Sequence, residues 1–105
     1  MVSSTDRILK EFAYKVRRSY PAAEVSLFGS YAKGTDTPES DIDICVVLPK
    51  VGAHDRFAVS DIAWEVSLSH NIHISTVVFS KNDIEEGAIS SSSLVESIRN
   101  EGVAV

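Results

Sequence analysis

Asp41 to Leu48 reads DIDICVVL: two carboxylates within the first three positions, then Ile44, Cys45, Val46, Val47 and Leu48 with no charged side chain among them. A strand with one wet face alternates apolar and polar residues. A run that is apolar at successive positions is buried on both faces, so this segment is expected to be a central strand. The chain must therefore supply a strand on either side of it and helices to cover it. With 105 residues it has material for one core, and residues 1–105 are read as one domain.

The flanking segments meet that demand. From Asp6 to about Tyr20, Ile8, Leu9, Phe12, Ala13 and Val16 recur at three-to-four spacing, the pattern of an amphipathic helix, which Pro21 closes. Lys10, Lys15, Arg17 and Arg18 fall on its other face or last turn and read as solvated. Glu24 to Phe28 (EVSLF) alternates and stops at Gly29-Ser30, as a strand delivering the chain to a turn does, and Ser30 can cap a short helix there. Thr35 to Ser40, with Pro38, has the composition of a loop.

Asp55 to about Ser69 reads as a helix with Phe57, Ala58, Ile62, Trp64, Val66 and Leu68 as its apolar set, although that face is less clean than the first. Ile72 to Phe79 (IHISTVVF) is a third strand, and Ser80 with Asp83 resembles a helix start. Ser90 to Ser93 reads as a loop and cap before a last helix that Gly102 stops. Val103 to Val105 is left as a tail or a short edge strand able to pair with another chain, which would make a homodimer. The order is αβαβαβα, an α/β (α+β) fold.

Charge and cysteine content narrow the partners. A net charge of -5, from 10 Lys and Arg against 15 Asp and Glu, repels a nucleic-acid backbone, so nucleic acid is not an expected partner. A triphosphate remains compatible, because a bound divalent cation reverses the field around paired carboxylates. Cys45 is the single cysteine and sits in an apolar run, which suggests a buried, inert thiol. No apolar run approaches the ~20 residues that span a bilayer, and Met1 to Lys10 lacks the apolar centre of a signal peptide. A cytoplasmic location without membrane contact is expected.

Asp41 and Asp43, two apart on a strand, leave the same face about 6.5–7 Å apart along the backbone. On the core side of a sheet they would cost several kcal/mol. At a strand entrance they can converge on a hard cation such as Mg²⁺, which takes one or two carboxylates with water and phosphate oxygens. Alone, this spacing reads as two solvated aspartates. Upstream, Gly29-Ser30 ends one strand and opens a helix, where free backbone N–H groups bind phosphate and glycine allows close approach. Phosphate donors and metal ligands thus stand on adjacent elements.

The block LFGSYAKGTDTPESDIDICV, with Gly29-Ser30, then Ala32 and Gly34, then Ser40 to Asp43, resembles the signature of the nucleotidyltransferases of the DNA polymerase beta superfamily in their minimal, stand-alone form. The signature covers about a fifth of the chain. The resemblance implies a small mixed sheet with helices mainly on one face, and transfer of a nucleoside monophosphate from a triphosphate, with ATP the expected donor, to a hydroxyl with release of pyrophosphate. It implies Gly29, Ser30, Lys33 and Ser40 as nucleotide-binding positions, with Tyr31 beside the phosphates, and Asp41 and Asp43 as catalytic ligands of Mg²⁺. Minimal members often pair with a small helical protein as antitoxin and toxin, so the acceptor hydroxyl is expected on a protein partner.

One departure stands out. Fully active members usually carry a third carboxylate on a later strand, expected here within Ile72 to Phe79, where the sequence offers His73 or Ser75. Losing that acid weakens the base for the attacking hydroxyl. The alternative is therefore a weak or inactive module that binds nucleotide and partner. Asp83 and Glu85 could substitute, but both sit where a helix start favours acids. His54, His70 and His73 have no zinc spacing, which leaves His73 as a conceivable proton acceptor.

Overall fold

The computed structural model describes residues 4–37, 39–86 and 92–105. Its elements run α1 (Ser4–Ser19), β1 (Glu24–Phe28), α2 (Gly29–Lys33), β2 (Ile42–Leu48), α3 (Ala53–His70), β3 (Ile74–Ser80), α4 (Lys81–Glu85), α5 (Ser93–Glu101) and β4 (Val103–Ala104). The strands form one mixed sheet in the order β3-β2-β1-β4, parallel between β2 and β3 and antiparallel elsewhere. β2 is interior, as its apolar run requires: Ile42, Ile44, Cys45 and Val46 are all fully buried. Among the described residues no helix is long and apolar enough to cross a membrane.

The main core lies between one face of the sheet and two helices. α1 buries Ile8, Leu9, Phe12, Ala13 and Val16, the five residues its periodicity singled out. They meet Val25, Leu27, Ile42, Ile44, Val46 and Leu48 in a single cluster with α3. Side chains the size of Leu or Phe contribute roughly 1.5–3 kcal/mol each on full burial, so this layer outweighs any surface pair in the molecule. Cys45 and Val95 are equally buried but stand outside that cluster, marking a smaller apolar layer served by α5, which packs on β1 and α2. Burial pushes the Cys45 thiol up to about 11, in keeping with an inert thiol.

The second long helix corrects the sequence reading. α3 buries Val59, Ala63 and Val66, whereas Phe57, Trp64 and Leu68, which were expected on its apolar face, are exposed. Apolar residues surround this helix, so periodicity could not choose a side; contact with α1 and β3 does. Ends behave more regularly. Ser80 Oγ accepts from Asp83 N–H and Asp83 Oδ2 from Ser80 N–H, so the expected helix start at α4 is present. Of the loop expected at Ser90 to Ser93, Ser90 and Ser91 lie outside the described residues, as Pro38 does in its own loop, while Ser92 Oγ accepts from Val95 N–H and caps α5.

α5 ends at Gly102, and β4 pairs with β1 of its own chain rather than needing another copy. Arg17, read as solvated, donates to the carbonyls of Ala23 and Val105 and so ties α1 to the end of the sheet where β1 begins and β4 finishes.

The start of α3 yields a pH prediction. Asp55 accepts from Gly52 N–H at 2.7 Å and from the Tyr20 hydroxyl at 2.8 Å, and these bonds, the backbone one first, hold its carboxyl below its ordinary 3.8. A depressed carboxylate contributes stability that is present above 3.8 and lost as pH falls through the folded value. Asp55→Asn is therefore expected to melt at lower temperature than the parent at neutral pH, with the gap closing below pH 3.8, as thermal unfolding followed by circular dichroism across that range would show.

Candidate active site

β1 and β2 run antiparallel with Phe28 opposite Asp43, so the turn that leaves β1 and the carboxylates that enter β2 meet at one end of the sheet. The turn needs glycine twice over. Gly29 has φ +74°, the left-handed region, and a Cβ on it would lie 2.4 Å from Asp43 Oδ2. The Asp43 carboxylate thus rests directly on the Gly29 Cα. Ser30 lies inside α2 and does not cap it: the N-cap is Phe28, with no side-chain hydrogen bond. α2 closes on Gly34, also at φ +74°, whose N–H donates to Ser30 C=O.

Asp41 lies just before β2, and with Asp43 it faces away from the buried Ile42 and Ile44, as the spacing required. Burial, and after it the Asp41 carboxylate, hold the Asp43 carboxyl above its usual range, against a smaller opposing effect of His73. His73 Nδ1 is 3.2 Å from Asp41 Oδ2, with both side chains more than half exposed. Among the described residues no lysine or arginine comes within 4.0 Å of either aspartate. Two carboxylates that repel each other without a lysine or arginine to pair them are a donor set suited to a hard dication. The described residues bring no third acid to the pair.

The parallel register shows what β3 places beside the pair. Ser75 is the partner of Asp43 across β2 and β3, and His73 ends immediately before β3. A serine therefore occupies the neighbouring-strand position beside Asp43. Asp83 and Glu85 cannot substitute: β3 carries them past the Leu48↔Ser80 end of the sheet, roughly 20 Å from the Ile42↔Ile74 end at 3.3 Å per residue. Asp83 is besides committed to the α4 cap. His54 lies in the first turn of α3, and His70, in its last turn, contacts Glu11 at 3.3 Å.

Two further sequence candidates have other partners. Lys33 Nζ pairs with Glu101 of α5 at 3.1 Å. Ser40 Oγ accepts from Thr37 N–H at 2.9 Å and holds the loop that leads into β2. The Lys33 pairing had no signal in the sequence, because nothing in the chain order places α2 beside the end of α5. The Gly29 contact could have been suspected from the Phe28↔Asp43 pairing that a tight return implies.

The arrangement has relatives. The sequence pattern of the nucleotidyltransferase domain matches residues 9–105. The chain belongs to that family. The candidate protein adenylyltransferase MJ0604 of Methanocaldococcus jannaschii is 31% identical over 99 residues, which cover 80% of this chain and 95% of its own. A candidate nucleotidyltransferase from Sulfolobus solfataricus shares the fold with a TM-score of 0.63 at 23% identity, over 93% of this chain and 76% of that one. A chain of a toxin–antitoxin complex with AMP-PNP does so with a TM-score of 0.59 at 23% identity, over 89% and 68%. The mixed sheet and its helices are the nucleotidyltransferase fold.

The Gly29 contact predicts a coupled stability effect. Gly29→Ala is expected to destabilise the fold by about 1–2 kcal/mol from the left-handed backbone alone, with more from the clash. Combining it with Asp43→Ala, which shortens the opposing side chain, should recover part of the second term, giving a non-additive cycle in urea unfolding.

Proposed function

We propose that this nucleotidyltransferase transfers AMP from ATP to a hydroxyl on a protein partner, with Mg²⁺ held by Asp41 and Asp43. The observation that carries the reading is the contact of the Asp43 carboxylate with the Gly29 Cα, which joins a phosphate-binding turn and a carboxylate pair in one bay. The adenine donor and the protein acceptor are supported by the name of the archaeal relative and by the AMP-PNP in the toxin–antitoxin neighbour. That neighbour also favours a small partner protein of the toxin–antitoxin kind.

The chain's part is mostly positioning. Gly29, lacking a Cβ, lets the Asp43 carboxylate lie against the turn whose N–H groups, at Gly29 and Ser30, would bind phosphate oxygens. Asp41 and Asp43 would hold the metal, with phosphate and water completing the shell. Bound there, Mg²⁺ supplies the positive charge that offsets the triphosphate and stabilises the charge developing at phosphorus. Ser40 keeps the approach to Asp41 in shape through Thr37. Lys33 would reach a phosphate by leaving Glu101, an exposed pair of the kind that exchanges readily.

No third carboxylate stands on β3 opposite Asp43 to take the proton of the attacking hydroxyl, since Ser75 fills that place. This observation favours a second reading, a module that binds nucleotide and partner with little or no turnover. The two separate on a gain-of-function variant. If transfer is the function and limited by the missing base, Ser75→Asp should raise the rate of AMP transfer from labelled ATP by about 10²-fold or more. A binding module would gain no transfer from it.

Nucleotide binding itself is checked by NMR. With ATP and Mg²⁺ the Gly29, Ser30 and Gly34 amides are expected to shift, and the shifts should vanish in Asp41→Asn and Asp43→Asn, which should also lower any transfer at least about 10²-fold. Unmoved amides at millimolar ligand would defeat both readings.

A further inference from the structure

β3 is the outermost strand on its side of the sheet, and one contact sets the direction of its backbone. Ile42 N–H donates to His73 C=O at 3.0 Å, so Ser75, Val77 and Phe79 turn their peptide groups toward β2, while Ile74, Thr76 and Val78 turn theirs to the free edge. α3 already occupies both ends of that edge. Ser67 Oγ accepts from Ile74 N–H at 3.2 Å, and Arg56 donates to Val78 C=O at 2.7 Å. Between them the N–H and C=O of Thr76 face outward.

A groove runs beside this open stretch, made of two hollows of about 440 and 330 Å³ that share Ser60 and Thr76. Trp64, 67% exposed, stands on its helix side, on the same stripe of α3 as the exposed Phe57 and Leu68. The groove ends at Ser75 and His73, the neighbours of Asp43 and Asp41. A strand added antiparallel at Thr76 would direct the residue opposite it to the Trp64 side and the next residue to the side of Ser75 and Asp43. On β3 itself, the side chain between that next residue and Asp43 is the small hydroxymethyl group of Ser75.

We propose that the free edge of β3 receives an extended segment of the acceptor protein as an added strand, which carries a hydroxyl side chain across Ser75 to the Asp41–Asp43 bay. The inference rests on the AMP-transfer reading of that bay. Charge selects this occupant over a second copy. In a chain of net charge -5, the lining of the groove has no carboxylate, and its ionisable side chains are Arg56 at one end and His73 at the other. Two copies, each of net charge -5, repel one another. A segment with a carboxylate beyond the Val78 end complements Arg56 instead.

The test pans random decapeptides on phage against the full chain with AMP-PNP and Mg²⁺. Enriched segments are expected to alternate apolar and polar residues with an acid toward one end. Their affinity should fall about tenfold or more, roughly 1.4 kcal/mol, for Thr76→Pro and for Trp64→Glu, while the Gly29 and Ser30 amides still shift with nucleotide. Proline suits an edge position whose N–H points outward, and Trp64 is too exposed for its replacement to open the core. Absence of enrichment, or binders indifferent to both variants, overturns the proposal and leaves the nucleotide site standing. Absence of nucleotide shifts in the parent protein overturns the site reading and the proposal with it. Self-association that Thr76→Pro abolishes would give the edge to a second copy and reject the acceptor segment.

Discussion

The site depends on the contact between the Gly29 Cα and the Asp43 carboxylate. β1 and β2 are antiparallel neighbours, so the residue leaving one strand and the residue entering the other are driven together by the sheet's own hydrogen bonds. A side chain at position 29 would occupy the space of the carboxylate, and only glycine adopts its left-handed backbone without strain. Burial and, after it, the Asp41 carboxylate raise the affinity of Asp43 for a proton. A divalent cation would relieve that repulsion, so the raised proton affinity and the suitability of the pair for a metal have one cause.

That contact is held in place by apolar burial elsewhere. Ile42 and Ile44 alternate with Asp41 and Asp43 and are fully buried against α1 and α3. A slip of one residue in β2 would bury the carboxylates and expose the isoleucines, so the core fixes the side on which the acids appear. The chain thereby uses one strand for two tasks: its central residues anchor the sheet, and its entrance offers the chemistry. Pairing of β2 with β3 then decides what stands beside Asp43, and here it is Ser75.

A serine rather than a carboxylate at that position has two sides. It leaves the chain without an obvious base, which turns the balance of the site toward orientation and charge. It also opens the lane between the sheet edge and Asp43, along a groove bounded by Trp64. A large exposed tryptophan on a helix whose inner face is filled by Val59, Ala63 and Val66 has no role in the core, and the edge strand next to it is incompletely capped.

Local pattern was enough to identify α1 with its five buried residues, β1 to the residue, the central place of β2, the start of α4 and the pairing of a glycine turn with two carboxylates, because each is written in short-range periodicity or turn chemistry. The inner face of α3 was not legible, since apolar residues lie all round that helix and only its seat between α1 and β3 selects Val59, Ala63 and Val66. Nor were the ion pair of Lys33 with Glu101 or the return of β4 to β1, which join residues far apart in the chain. The sequence by itself determined which groups could do chemistry. Tertiary structure alone decided which of them meet, because the choice of which strands become neighbours and which side of a helix meets the sheet joins residues far apart in the chain.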